Sequence, residues 1–120
     1  MLKEIHDTLK ALDENVYYGG VDGVDNKTPR LWNYIVYLRQ NTRRTGGNTG
    51  YTDHITVAVI HEEYIPEGTI ERVINAMEAL PGVRLSSNDI EYAYTRKPGT
   101  GVIVEMAELV FSFPRKRCAT

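Results

Sequence analysis

The chain has a single cysteine, Cys118, among its 120 residues, so it cannot form an internal disulfide bond. A lone thiol predicts a reducing compartment rather than secretion. No window approaches the ~20 consecutive apolar residues of a membrane-spanning helix. The stretch Met1–Asp7 has two early acidic residues and no apolar run, which is not the pattern of a signal peptide. We therefore expect a protein with no membrane association.

The chain also lacks a large excess of either charge. It has 14 basic and 16 acidic residues and a net charge of -2, which gives no general attraction to nucleic acid or to an anionic membrane. Its hydrophobic content of 42% is ordinary for a globular protein. The length predicts one domain over residues 1–120, large enough to fold without a metal or a disulfide.

Side chains that commonly catalyse reactions or bind metals are sparse. His54 and His61 are seven residues apart on one predicted strand. An odd separation places them on opposite faces of the strand, so they cannot share a metal. His6 lies on a predicted helix. The two glutamates after His61 lack the second histidine of a helical zinc motif. Cys118 lies on a basic tail without the fixed position that a nucleophile needs. The glycine pairs lack the strand-to-helix setting of a phosphate-binding loop. We expect no catalysis, no metal and no cofactor.

Apolar residues spaced three and four apart predict two amphipathic helices. The first begins at Leu2 and ends near Asp13 to Asn15. The second opens at Pro66–Thr69 and ends at Pro81–Gly82, because proline and glycine do not continue a helix. The buried stripes are predicted to be Leu2, Ile5, Leu9 and Leu12 in the first helix, and Ile70, Val73, Ile74, Met77 and Leu80 in the second.

Alternating apolar and polar residues predict the strands. They are a short piece at Val16–Tyr18 and longer strands at Leu31–Gln40, Asp53–Glu62, Ile90–Thr95 and Val102–Phe113. The polar, glycine-rich stretch Asn41–Thr52 is predicted to be a long loop, and the basic tail Pro114–Thr120 is expected to fray. The order is α-β-β-β-α-β-β. This pattern indicates an α+β fold, with a mainly antiparallel or mixed sheet of four to five strands packed with two helices.

Tyrosine is the most unusual component, with eight residues against two phenylalanines and one tryptophan. Tyrosine suits half-buried sheet faces and is enriched at protein interfaces. On the last predicted strand both alternating sets of residues are apolar. Either a neighbouring subunit covers part of the second sheet face, or both faces are covered within the monomer.

Three short basic clusters are present, at Arg43–Arg44, Arg96–Lys97 and Arg115–Arg117. Each is a candidate contact with an acidic partner or with phosphates, although short basic clusters are most often solvated surface. Arg43 and Arg44 lie in the predicted loop, where they could reach a partner.

The layout of nearly the whole chain resembles the tail-terminator (tail-completion, minor tail) proteins of long-tailed phages and prophages. The matching features are the leading helix, the strand and glycines of 16–20, the strand after Pro29, the polar loop 41–52, the strand 53–61, the helix between Pro66 and Pro81, and the closing strand pair 90–94 with 107–111. The resemblance lies in the order of elements, because no invariant signature marks this family.

The resemblance implies a structural virion protein without a cofactor. Such proteins form homo-oligomeric, hexameric rings that cap the tail tube, contact head-completion proteins and let DNA pass without specific binding. The implied location is the virion tail, and the host cytoplasm during assembly. The candidate interface residues are Arg43, Arg44, Gly46, Gly47, Tyr51, Arg96 and Lys97. The alternatives are another neck component, such as a head-closure or connector protein, and a small-ligand-binding ferredoxin-like module.

Overall fold

The computed structural model describes residues 1–12, 15–19, 33–44, 50–86, 89–97 and 99–116. The elements in chain order are α1 (Leu2–Lys10), β1 (Val16–Tyr18), β2 (Tyr34–Arg44), β3 (Gly50–Glu62), α2 (Thr69–Glu78), β4 (Arg84–Leu85), β5 (Glu91–Arg96) and β6 (Ile103–Lys116). The predicted α+β class with two helices and a mixed sheet is confirmed. The sheet has one strand more than predicted, because the two-residue β4 is too short to give a recognisable alternation.

The strands form one sheet in the order β1-β2-β3-β6, with β4 and β5 both pairing with the outer edge of β6. β1 and β2 are parallel, and the other pairs are antiparallel. β6 pairs with β3 from Val104 to Lys116. The alternating residues of β6 enter buried clusters on both faces of the sheet, with Val104 on one face and Leu109 and Phe111 on the other, which explains why both sets are apolar.

The main core lies between the two helices and one face of the sheet. Ile5 and Leu9 of α1 and Met77 of α2 are fully buried in it, together with Val57 of β3 and Phe111 of β6. The four-residue spacing of Ile5 and Leu9 places both on one side of α1, as the sequence predicts. α1 ends at Lys10, earlier than predicted, with the amide of Ala11 donating to the Asp7 carbonyl at 3.1 Å.

The chain after α2 turns back toward the sheet at Gly82. This residue has φ of 79°, which disfavours any residue with a Cβ. A Cβ here would also lie 3.3 Å from Cδ of Pro114 on β6. The close approach packs the turn between α2 and β4 against the last residues of β6.

The opposite sheet face is apolar as well. We call it the apolar sheet face; its residues are Tyr17, Tyr34, Val36, Leu38, Ala58, Ile60, Val104 and Met106. Val36, Ile60 and Val104 are buried at its centre, and within the described residues this cluster contains no helical side chain. The predicted two-sided apolar character is thus present. The centre of the apolar sheet face is already buried within the chain, and none of the exposed large hydrophobic side chains in the described part of the chain belongs to this cluster.

Two predictions about chain segments are wrong. The predicted loop at 41–52 is strand up to Arg44 and again from Gly50, with Arg44 paired to Tyr51. The part of the predicted frayed tail from Pro114 to Lys116 is strand, in which Arg115 pairs with Tyr51. Residues 117–120 lie outside the described residues. We call this three-stranded extension the arm; it comprises residues 41–44, 50–53 and 114–116. Its residues are mostly polar on both faces, so no apolar alternation marks them as strand.

Candidate interaction surfaces

A row of two arginines and a tyrosine crosses the arm. Arg44 pairs with Tyr51, which pairs with Arg115, so the three side chains lie on the same face of the sheet as the helices. The guanidinium carbon of Arg115 lies 5.2 Å from the centroid of the Tyr51 ring, within the range of a cation–π interaction. We call these three residues the basic row.

Asp53 fixes the position of Arg115. Its Oδ2 accepts a hydrogen bond from Nε of Arg115 at 2.9 Å, and its Oδ1 accepts one from Oγ1 of Thr42 at 2.6 Å. One side of the Arg115 guanidinium is thereby held, while the side chain remains 54% exposed. Arg115 therefore presents its guanidinium group in a fixed orientation.

The structure unites two basic clusters that are 71 residues apart in the sequence, since Arg44 and Arg115 flank the same tyrosine. Arg115 was not predicted as an interface residue, because the tail was expected to fray. The signal that could have found it is the alternation of Phe111 and Phe113, which continues to Arg115 on the same face. Arg43 is also exposed but pairs with Thr52, which places it on the other face of the arm.

The remaining predicted interface residues do not join this surface. Arg96 pairs with Ile103 at the start of β6, twelve residues before Arg115, which corresponds to about 40 Å along a strand. Next to it, Nζ of Lys97 forms an ion pair with Oε1 of Glu62 at 2.7 Å. Gly46 and Gly47 lie outside the described residues. The predicted set thus divides between two ends of the sheet.

Exposed aromatic and aliphatic side chains concentrate at the end opposite the arm. Seven large hydrophobic side chains are exposed among the described residues, and five of them lie here. We call this group the aromatic end; its members are Tyr64, Tyr92, Tyr94, Val102 and Ile103. The amide of Glu63 donates to the Ile103 carbonyl, which brings Tyr64 beside the start of β6. Tyr94 is 62% exposed and Tyr92 is 49% exposed, although both lie in a strand.

β5 carries both of these tyrosines and forms an edge of the described sheet. All six of its residues are exposed, and its assigned partner is β6 on one side. The free side of an edge strand presents backbone N–H and C=O groups that another chain can pair with. The edge therefore offers hydrogen bonding beside exposed aromatic rings.

A groove of about 660 Å³ lies between the start of α2 and β5. Three carboxylates line it, from Glu67, Glu71 and Glu105, and none of its described lining residues is basic. Tyr92 and Tyr94 form its opposite wall. We call it the acidic groove. No local sequence pattern predicts this groove, because its residues come from three separate segments of the chain.

Glu105 accepts hydrogen bonds from two other residues that line the acidic groove. Its Oε1 accepts the backbone N–H of Ile65 at 2.8 Å, and its Oε2 accepts the hydroxyl of Tyr94 at 2.8 Å. The hydrogen bond to Glu105 raises the pKa of Tyr94, with burial adding to the effect. The phenol remains protonated and donating at neutral pH, which holds its ring at the groove wall.

The described residues contain no group of three His, Cys, Asp or Glu side chains placed to bind a metal ion. As predicted, His54 and His61 lie on opposite faces of β3: His54 pairs with Asn41 on the arm, and His61 lines a small cavity beside Leu12 on the helix side. Neither described helix has the length and apolar character needed to cross a membrane.

No family model matches the chain, and no curated protein matches it. Among solved structures, the chain is similar to one from "Virion of native gene transfer agent (GTA) particle". The TM-score is 0.49 and the sequence identity is 14%, and the match covers 94% of this chain and 92% of the other. Similarity at this level supports no statement about the function of this chain.

Proposed function

We propose that this protein is a structural virion protein of a phage or prophage, a tail-terminator protein that forms a homo-oligomeric ring at the head–tail joint. The observation that carries the proposal is the concentration of five exposed large hydrophobic side chains at the aromatic end. Exposed apolar clusters mark interaction sites, and tyrosine is enriched at them. The resemblance in element order supplies the specific role.

A ring requires a head-to-tail contact between two different surfaces of the same protein. The aromatic end and the arm meet this requirement, because they lie at opposite ends of β6. A stable contact of this kind buries on the order of 1,200–2,000 Å² in total. The predicted interface residues that the structure describes then divide between the two sides: Arg43, Arg44 and Tyr51 belong to the arm, and Arg96 and Lys97 to the other end. Gly46 and Gly47 lie outside the described residues.

The rest of the proposal follows from the family resemblance. The protein is a single domain over residues 1–120 that acts without a cofactor or catalysis. Six copies form the ring, which contacts the tail tube and a head-completion protein and lets DNA pass without specific binding. Its place is the virion tail, after assembly in the host cytoplasm. Another neck component would also assemble through contacts between copies and differ only in its partners, which the neighbouring genes would identify.

Deleting Thr45–Asn48 should leave folding intact and impair ring formation or docking onto the tail tube. Arg44 and Tyr51 are the last described pair of the hairpin, so the deletion leaves Thr49 and Gly50 between them, and two residues suffice for a hairpin connection. Circular dichroism and a thermal melt would report folding, and electron microscopy would report rings.

Replacing Thr45 and Asn48 by glycine at constant length is the control for the length of the connection, because the two residues between them are already Gly46 and Gly47. It should fold equally well and assemble poorly if side chains of this segment make the contact. A deletion variant that assembled as well as the unmodified chain would show that the assignment of 45–48 to the interface is wrong.

The acidic groove favours one further candidate, a module that binds a small cationic ligand. Its volume of about 660 Å³ falls within the roughly 300–1,000 Å³ of small-molecule sites. The two functions predict different states of the groove. A ligand-binding module would bind one small molecule per chain as a monomer, whereas a ring component would bury the groove on assembly.

A further inference from the structure

We propose that the acidic groove of one copy receives the basic row of the next copy in the ring. This inference rests on the proposed function and names the pairing that would hold the ring together. Glu67, Glu71 and Glu105 on one chain would face Arg44 and Arg115 on the neighbouring chain. The basic row and the acidic groove have opposite charge and lie on the same face of the sheet.

The charge of the groove is negative even though it includes the start of a helix. The N-terminus of α2 contributes about half of a positive charge through the helix dipole. Three carboxylates line the same groove, so the negative charge is several times larger. The ligand that matches this site is cationic, and the basic row supplies two guanidinium groups.

A chain cannot place its own basic row in its own acidic groove. Glu105 and Arg115 lie on one strand, ten residues apart, which corresponds to about 33 Å. β6 is paired with β3 without a register shift from Val104 to Lys116, so the strand cannot fold back on itself. If the two surfaces meet, they meet between copies. Such a contact joins unlike surfaces, as a closed ring requires.

The chemistry of the two surfaces also matches beyond net charge. A guanidinium group binds a carboxylate through two parallel hydrogen bonds and stacks on aromatic rings. The groove offers both partners, with carboxylates on the α2 side and the rings of Tyr92 and Tyr94 on the β5 side. Arg115 is already oriented by Asp53 and Tyr51, so little side-chain freedom remains to be lost on binding.

Charge reversal tests the pairing. Arg44→Glu in the basic row and Glu71→Lys in the groove should each weaken self-association by about tenfold or more, because like charges then face each other. An equimolar mixture of the two single variants should associate again, since each reversed surface finds its complement. A chain carrying both reversals should also recover. Light scattering over micromolar to millimolar concentrations measures the association.

The matched controls are Arg84→Glu and Glu108→Lys, which change the same charges on the other face of the sheet. Both should associate like the unmodified chain, and circular dichroism should give the same fold for all variants. If the unmodified chain associates but R44E or E71K associates equally well, this pairing is overturned and the ring proposal stands. Reversals that weaken association without recovery in the mixture also overturn the pairing. An unmodified chain that stays monomeric throughout overturns both proposals.

Discussion

Replacing Phe111 by alanine should lower the free energy of unfolding by about 3–5 kcal/mol, the range for deleting a buried aromatic side chain. Phe111 is fully buried in β6, where it pairs with Ile55 on one side and Leu85 on the other. The cavity would lie at the junction of β3, β6 and β4. Domains of this size have a free energy of unfolding of about 5–15 kcal/mol, so the loss should be measurable in a urea titration.

Val110→Ala is the matched control on the same strand. Val110 lies on the opposite face and is only half-buried, so its truncation should cost about 1 kcal/mol. Equal losses from the two substitutions would contradict the placement of the main core on the helix side of the sheet.

Replacing Tyr92 and Tyr94 together by serine should weaken ring assembly by about 30-fold or more, the equivalent of one interfacial hot spot. Both rings are exposed on an edge strand, so the folded chain loses little when they are removed. The expected change in the free energy of unfolding is about 1 kcal/mol or less per substitution, the span of strand propensity. Light scattering would measure assembly, and denaturant titration would measure stability.

Tyr18→Ser provides the comparison at the other edge of the sheet. Tyr18 is 50% exposed in β1, about as exposed as Tyr92, and packs edge-on against Tyr37 at 5.0 Å. This variant should assemble normally. If it weakened assembly as much as the double serine variant, the effect would reflect the loss of any exposed ring and not a contact at the aromatic end.

The elements that were predicted correctly are those in which one face is apolar. α2 and the central parts of β3 and β6 bury residues at regular spacing, and this periodicity is readable from a single sequence. The arm could not be predicted in the same way, because its residues are mostly polar on both faces. It is held as strand by backbone pairing with its neighbours, from Thr42 with Asp53 to Gly50 with Lys116.

The candidate surfaces were less predictable than the fold, since they depend on contacts between distant segments. Arg43, Arg44 and Tyr51 were predicted as interface residues on local composition, and the structure adds Arg115 to two of them through pairing across β3. The acidic groove combines Glu71 of α2 with Glu105 of β6, 34 residues later. No local pattern relates these two residues, because the packing of α2 over the sheet brings them together.

The mass of the protein in solution, measured by light scattering across a concentration series and followed by electron microscopy, tests the central claim most directly. Self-assembly through two unlike surfaces predicts a mass that rises with concentration, stops at a fixed multiple of 13.6 kDa, and corresponds to closed rings. A mass of 13.6 kDa at every concentration would contradict the account, as would a small molecule held in the acidic groove of an isolated chain.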